Sequence, residues 1–515
     1  MTSRTAVSTS TSFGLKKSSV RSLTTTIDRK PERWIPKTYQ KKAIKFLLEH
    51  GGGGLFLDPG LGKTSITYAA YTILKSEKIV KRMLVIAPLR PAQLVWPAEA
   101  AKWEQFSKLK VVVLHGKEKD KELLKQGVAD VYVINPEGLE WLANQEAILA
   151  KKFFDILCVD ESSKFKRTST KRYKLLKEML DFFRRRWILT GSPAPRGLLD
   201  LFGQMYIIDQ GRTLGYFITQ YRSNYFAPSG YGGYQWVPTN GSDKEIYKRI
   251  SPWVLRMSEK DYLKLPPMTI SNIIVELPPK ARKLYDAMEQ DLFIRLEEGT
   301  ITAANAAVAT MKCRQIANGG LYLDLEGEDD VKQRKEIVIH HAKLDATIDT
   351  LNELGKQPTL IAYEFGHDLH RLLGVEELEE TPYFGGGVSH GRAKEIEAMW
   401  NQGSLDNLLV QPQSAALGLN LQFGGRALIF HSLTYSWDDY DQLIRRIYRQ
   451  GQKSRVFVYR IIAKNTVDEA ILAVLDMRRR AQNALFDALQ AYRSRRRDVV
   501  SSRLTKRELQ SLFKA

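Results

Sequence analysis

The stretch that decides the reading is Leu55-Phe56-Leu57-Asp58-Pro59-Gly60-Leu61-Gly62-Lys63-Thr64-Ser65. Gly51–Gly54 leads into it, the apolar run closes on a glycine-rich turn, and a helix-prone stretch continues to Leu74. Strand, glycine-rich turn and helix in this order let backbone amides curl around phosphate oxygens, with the helix N-terminus adding a positive dipole. Gly60 and Gly62 give the turn its freedom, and Lys63 is spaced to reach the outer phosphates. Thr64 and Ser65 add hydroxyls, Thr64 as a magnesium ligand. One departure stands out: Leu57 occupies the first glycine position of the simplest phosphate-loop pattern.

Downstream, Met83–Ala87 reads as a second strand ending at Pro88, followed by a helix through Trp96, Glu99 and Trp103. Such alternation predicts a parallel sheet covered by helices on both faces. Phe153-Phe154-Asp155-Ile156-Leu157-Cys158-Val159-Asp160-Glu161 is an apolar strand that ends in two adjacent carboxylates. Acidic pairs at strand ends are common on any surface. Behind a phosphate loop they fit the magnesium half of an ATPase, with Asp160 holding the ion, partly through water, and Glu161 polarising the attacking water. Trp187-Ile188-Leu189-Thr190-Gly191-Ser192-Pro193 is a third strand closed by a polar turn. Thr190 and Ser192 are either coupling hydroxyls between the nucleotide and a neighbouring lobe or a plain strand exit.

The chain of 515 residues has room for two or three domains. Hydrophobic residues at 43% and charged residues at 26% fit a soluble globular class, and no apolar run is long enough to span a bilayer. Cys158 and Cys313 lie far apart with no neighbour at ligand spacing, so neither a disulfide framework nor a structural zinc is expected. The net charge is +20. Met1–Arg33 carries seven basic and two acidic residues, and Arg478–Ala515 eleven and three. Basic ends of this kind attract a phosphate backbone without reading sequence.

With these pieces in order, the sequence resembles the superfamily 2 helicase-like ATPases, specifically the SWI/SNF-type branch of duplex-DNA translocases and chromatin remodellers, over most of Trp34 to Leu475. Tyr39-Gln40 resembles the family's adenine-recognition element, Gln40 offering an amide that both donates and accepts. Pro252-Trp253-Val254-Leu255-Arg256 through Leu265-Pro266-Pro267-Met268, then Leu277-Pro278 and Arg282-Lys283-Leu284-Tyr285, is similar to the branch's link between lobes. Leu360–Tyr363 looks like the strand opening the second lobe. Ser414-Ala415-Ala416-Leu417-Gly418-Leu419-Asn420-Leu421 resembles its coupling loop, which implies roles for Ser414, Gly418 and Asn420. In Gln442-Leu443-Ile444-Arg445-Arg446-Ile447-Tyr448-Arg449-Gln450-Gly451-Gln452 the resemblance implies a coupling role for Gln442. It also implies that Arg446 and Arg449, three apart on one helix face, enter the cleft as arginine fingers. Val456–Ile462 and Asn465–Glu469 resemble the closing strand and brace helix.

The resemblance implies an α/β fold of two RecA-like parallel-sheet lobes with the ATP site in the cleft between them. The expected division is a flexible basic tail over 1–33, a first lobe over 34–257, a second over 258–480 and a basic extension over 481–515. It implies ATP and Mg2+ as cofactors, DNA as partner with the duplex favoured, no membrane, and a cytoplasmic place in a bacterium or in the host of its virus, a nuclear one staying open. The function implied is a minimal ATP-dependent DNA translocase, with no chromatin-reading or cutting module evident. Two alternatives remain beside it, a strand-separating helicase and a nucleic-acid-binding protein with a non-hydrolysing ATP site. Departures from the family are Ser163, where relatives commonly carry histidine, and Ala415-Ala416, where small glycines are usual. The aromatic segment Tyr206, Tyr216, Phe217, Tyr221, Tyr225, Phe226, Tyr231, Tyr234 and Trp236 reads as packing more readily than as a stacking platform for bases.

Overall fold

A computed structural model describes residues 30–116, 128–229, 235–258, 262, 265–297, 303–325, 333–355, 357–417 and 419–479. The expected tail, apart from its last four residues, the extension over 481–515 and Gly418 lie outside the described residues.

The first lobe is built on β1 (Gly52–Leu57), β2 (Met83–Ile86), β3 (Val111–Leu114), β4 (Val131–Ile134), β5 (Ile156–Asp160) and β6 (Arg185–Thr190). A short hairpin of β7 (Phe226–Ser229) and β8 (Gln235–Pro238) precedes β9 (Val254–Met257). The seven-stranded sheet has the order β3-β4-β2-β5-β6-β1-β9, with every pair parallel. Its central strands are short and largely apolar, as in Met83-Leu84-Val85-Ile86 and Val131-Tyr132-Val133-Ile134, because both faces of the sheet are covered. Trp187 and Cys158 on one face and Phe56 and Ile188 on the other each join a buried helix-lined cluster.

The second lobe begins with β10 (Met268–Val275), followed by the antiparallel hairpin β11 (Gly320–Leu325) and β12 (Gln333–Val338). It continues with β13 (Thr359–Ala362), β14 (Tyr383–Phe384), β15 (Asn407–Val410), β16 (Ala427–Phe430) and β17 (Val456–Ala463). Its six-stranded sheet has the order β10-β17-β16-β13-β15-β14, again all parallel. The architecture is α/β, two RecA-like parallel-sheet lobes. Open parallel sheets present ligand sites beyond the carboxyl ends of their strands, which directs attention to the turns after β1, β5 and β6.

Among the aromatic residues read as packing, Tyr221 is fully buried and its ring lies 5.5 Å from Phe202, 5.4 Å from Tyr225 and 5.2 Å from Phe226. Tyr216 and Phe217 are exposed, while Tyr231 and Tyr234 lie outside the described residues. Cys158 and Cys313 are both free and buried. Among the described residues no helix is long and apolar enough to cross a membrane, and no group of three or more His, Cys, Asp or Glu is placed to hold a metal ion.

Candidate active site

The turn after β1 runs directly into the helix Lys63–Ser76. Gly60 and Gly62 have φ of +87° and +79°, a region that costs a side-chain-bearing residue about 1–2 kcal/mol, so the loop needs glycine at both places. A side chain at Gly62 would also meet Gln40, since a Cβ there would lie 2.7 Å from Gln40 Nε2. Gln40, in the first turn of the helix Thr38–Glu49, donates to the Leu61 carbonyl at 3.3 Å and accepts from the Lys37 amide at 2.9 Å. Both ends of its amide are therefore fixed against the loop.

Lys63 Nζ donates to the Leu57 carbonyl at 2.9 Å, across the mouth of the loop. Burial lowers its pKa, and Glu161, Asp160 and Asp58 work against that by favouring the charged form. Thr64 is half-buried beside it. Ser65 is buried, and its hydroxyl is bonded to the Glu99 carboxylate, which also accepts from Trp103 Nε1 at 2.8 Å. The structure thus turns Ser65 toward the helix Trp96–Lys102 and away from the loop's mouth.

β5 lies two strands from β1, with β6 between, so Asp160 and Thr190 end level with the loop. Asp160 Oδ2 accepts from Trp96 Nε1 at 3.0 Å, and Oδ1 accepts from the Glu161 amide at 3.1 Å. Burial pushes Asp160 up to about 6, opposed by the Trp96 hydrogen bond and Lys63 and reinforced by Glu161. Glu161 takes the left-handed conformation, φ 55°, which carries the chain off the strand. Its Oε1 accepts from Ser163 Oγ at 2.8 Å and from Thr190 Oγ1 at 3.1 Å. Ser163 thus makes its contact with Glu161 by a hydroxyl. The Ser192 amide in turn donates to Thr190 Oγ1 at 3.1 Å, and both residues are buried.

The second lobe brings the helix Trp437–Ile447 to this surface. Ser436 caps it, accepting from the Asp439 amide at 3.3 Å. Burial lowers the Arg446 guanidinium to about 10, the neighbouring Arg449 lowers it further, and Glu161 of the first lobe and Glu397 of the second raise it. Arg446 Nη1 reaches the Leu419 carbonyl at 3.5 Å, and Arg449 Nη1 donates to Asn420 Oδ1 at 2.6 Å. Asn420 thus serves as a holder of Arg449. A Cβ built on Gly60 would lie 3.8 Å from Arg449 Cβ and 3.8 Å from the Gln450 amide, so the second lobe sits directly over the loop. Gln442, on this helix, and Ser414, in the turn before Asn420, are half-buried.

Three contacts here escaped sequence reasoning. Asp58, at the start of the loop, pairs with Arg256 of β9 at 2.7 Å, with the side chains 4% and 3% exposed. Arg256 also donates to the Phe56 and Met257 carbonyls at 2.9 and 2.6 Å. Lys166, five residues past Glu161, lies 3.8 Å from Asp200 and 3.6 Å from Asp438 of the second lobe. The third is the Trp96–Asp160 bond. One signal was available: an arginine inside the apolar strand Val254-Leu255-Arg256-Met257 demands a carboxylate partner.

The model described as the SNF2-related domain matches residues 39–320. The chain belongs to the SNF2-related family. Protein p41 of the Acyrthosiphon pisum secondary endosymbiont phage 1 is 35% identical over 473 residues, covering 89% of this chain and 99% of that protein. An uncharacterized ATP-dependent helicase of Mycoplasma genitalium is 24% identical over 449 residues, covering 85% of this chain and 41% of that protein. A solved structure, the Sulfolobus solfataricus SWI2/SNF2 ATPase core in complex with dsDNA, aligns over 93% of this chain and 97% of that one, with 22% identity and a TM-score of 0.42. The chain therefore spans nearly the whole phage protein and about two-fifths of the mycoplasma helicase. SNF2-related membership makes it a superfamily 2, SWI/SNF-type ATPase.

Proposed function

We propose that this chain couples ATP hydrolysis to movement along duplex DNA by closing and opening its two lobes around the nucleotide. The observation that carries the reading is the split site: Lys63, Asp160 and Glu161 stand on the first lobe, while Arg446 and Arg449 face them from the second. A site divided in this way is complete only when the lobes are together, so each round of hydrolysis changes which lobe arrangement is favoured.

The residues have assignable tasks. Gln40, Gly60, Gly62, Lys63 and Thr64 hold the nucleotide, with Lys63 exchanging the Leu57 carbonyl for a phosphate oxygen. Glu161, held by the Ser163 and Thr190 hydroxyls, orients water. Arg446 and Arg449 neutralise charge that develops on the transferring phosphoryl group. The donor set also fits magnesium: a hard carboxylate at Asp160, already oriented through both oxygens, and the Thr64 hydroxyl after the phosphate-loop lysine. When bound, that ion supplies neutralisation of the phosphate charge. Thr190, which donates to Glu161 and accepts from the Ser192 amide, connects the hydrolytic carboxylate to the next loop, and on the second lobe Asn420, which holds Arg449, does the corresponding work together with Ser414 and Gln442.

Duplex DNA is favoured by the link Pro252–Met268 and by the Gln442–Gln452 pattern, both of the SWI/SNF type. The test is ATP turnover measured side by side with duplex DNA, single-stranded DNA, RNA and no nucleic acid, with Lys63→Ala as the inactive control. Duplex DNA should stimulate most. Equal turnover with and without nucleic acid would remove the motor reading. A triplex-displacement assay run beside a fork-unwinding assay separates translocation from strand separation.

A further inference from the structure

The helix Trp96–Lys102 is not part of the nucleotide-binding loop, yet it touches the site at two places. In its first turn Glu99 accepts from Ser65 and Trp103. At its first residue Trp96, fully buried, donates its indole N–H to Asp160 Oδ2 at 3.0 Å. Tyr68, on the helix that starts at Lys63, donates its hydroxyl to the Trp96 carbonyl at 2.8 Å and sets its ring edge-on to the indole at 5.2 Å. Trp96 is thereby clamped by the same helix whose first residues form the phosphate loop.

We propose that Trp96 is a positioning residue for the magnesium carboxylate: its indole N–H fixes the orientation of Asp160 before metal and nucleotide arrive. The inference rests on the site reading given above. An indole N–H is a donor with no acceptor capacity, so it can bond only the ionised or acceptor face of the carboxylate. With Oδ1 taken by the Glu161 amide and Oδ2 by Trp96, the plane of the carboxylate is set by two donors on different elements. A freely turning carboxylate would lose that orientation and bind a hard cation less well, since partners that orient metal ligands typically account for about 10- to 100-fold in metal affinity or activity.

Trp96→Phe keeps an aromatic ring in the pocket and removes the donor. A second variant carries 3-benzothienyl-alanine at position 96, which keeps the bicyclic shape and replaces the N–H by sulfur. Each is compared with the unaltered chain in melting temperature and in the affinity for a fluorescent ADP with and without Mg2+. The expected result is that metal-free affinity and melting temperature of the benzothienyl variant stay as they are, while the gain in affinity brought by Mg2+ shrinks by about tenfold or more. ATP turnover should fall mainly in kcat. The proposal is overturned if both variants keep the full Mg2+ gain, or if metal-free binding falls in parallel, which is what a purely structural indole would give. If the unaltered chain itself shows no Mg2+ gain, the reading of Asp160 falls too, so the two failures are told apart by the control.

Discussion

Arg445 of the second lobe places Nη1 3.9 Å from Asp58 Oδ2 at the head of the phosphate loop, the same carboxylate that Arg256 holds from the first lobe at 2.7 Å. One acidic side chain thus joins the loop to its own sheet and to the opposite lobe. Arg445 is also tied to Asp441 one helical turn back, at 2.6 Å, which pre-orients its guanidinium. At 3.9 Å the contact is long, and with Arg445 17% exposed it contributes roughly 0.2–1 kcal/mol. Arg445→Gln should therefore lower the ratio of closed to open arrangement by about 1.4- to 5-fold. Energy transfer between dyes on the two lobes, read with a non-hydrolysable ATP analogue, checks this. An unchanged closed population would show that the pair does nothing for closure.

Arg256 is a different case, because it is buried and its partner has no water to fall back on. Arg256→Met takes from the buried Asp58 carboxylate its nearer cation, at 2.7 Å, and strips donors from the Phe56 and Met257 carbonyls. Removing one member of such a pair costs about 3–5 kcal/mol. Chemical denaturation of the variant should show a loss of that order, and the double change Asp58→Asn with Arg256→Met should recover part of it.

Arg446→Ala is expected to reduce kcat by about a thousandfold or more while the KM for ATP moves little, since an arginine finger acts on charge that appears in the transition state. Arg446→Lys should rescue poorly, because a point charge does not reproduce the planar fork. Steady-state kinetics at saturating duplex DNA distinguish this from a binding defect, which would raise KM and spare kcat.

Asp438 sets a pH dependence at the lobe contact. Burial raises its carboxyl to about 7, against the attraction of Lys166, and Glu161, Asp439 and Asp200 raise it further. The folded protein therefore binds a proton that the unfolded chain, with an ordinary carboxyl, gives up near pH 4. The stabilising contribution of that neutral form is complete below about pH 4 and is lost as pH rises through about 7. Asp438→Asn should accordingly melt higher than the unaltered chain at pH 8, with the difference shrinking toward pH 5.

His431 has the opposite sign. It follows β16, is fully buried, and its Nδ1 lies 2.8 Å from the Thr347 hydroxyl, which itself donates to the Lys343 carbonyl. Nδ1 therefore carries the ring proton and donates to Thr347. Burial lowers the imidazole to about 3, Asp368 opposes this, and Arg371, Lys343 and His367 add to it. The folded state excludes a proton that the unfolded state binds below about 6.5, so stability is complete above that pH and falls toward pH 3, by about 1.4 kcal/mol per pH unit. His431→Asn keeps a donor for Thr347 and removes the titration. Its melting temperature should drop less between pH 7.5 and 5 than that of the unaltered chain.

The fold was legible because its signals are local. A strand, the turn Asp58–Gly62 and the helix after it announce themselves in consecutive residues, and so do the strands closed by Asp160 and Thr190. What stayed hidden depends on sheet order. Arg256 meets Asp58 only because β9 lies beside β1, and Trp96 meets Asp160 only because β2 lies beside β5. Neither adjacency is written in the chain's order. Ser65 shows the limit from the other side: its place after Thr64 suggested the nucleotide, while its position on the helix turns it to Glu99.

The helix Trp437–Ile447 meets the first lobe by a charge near each end, Asp438 with Lys166 and Arg445 with Asp58. Those residues are seven apart, about 10 Å along the axis. A segment held at two points cannot slide along the first lobe without breaking one of them, and just past its end Arg449 and Gln450 lie over Gly60 as a third point. Three points off one line fix a plane, so the register of this helix against the loop is set as a whole and is lost as a whole.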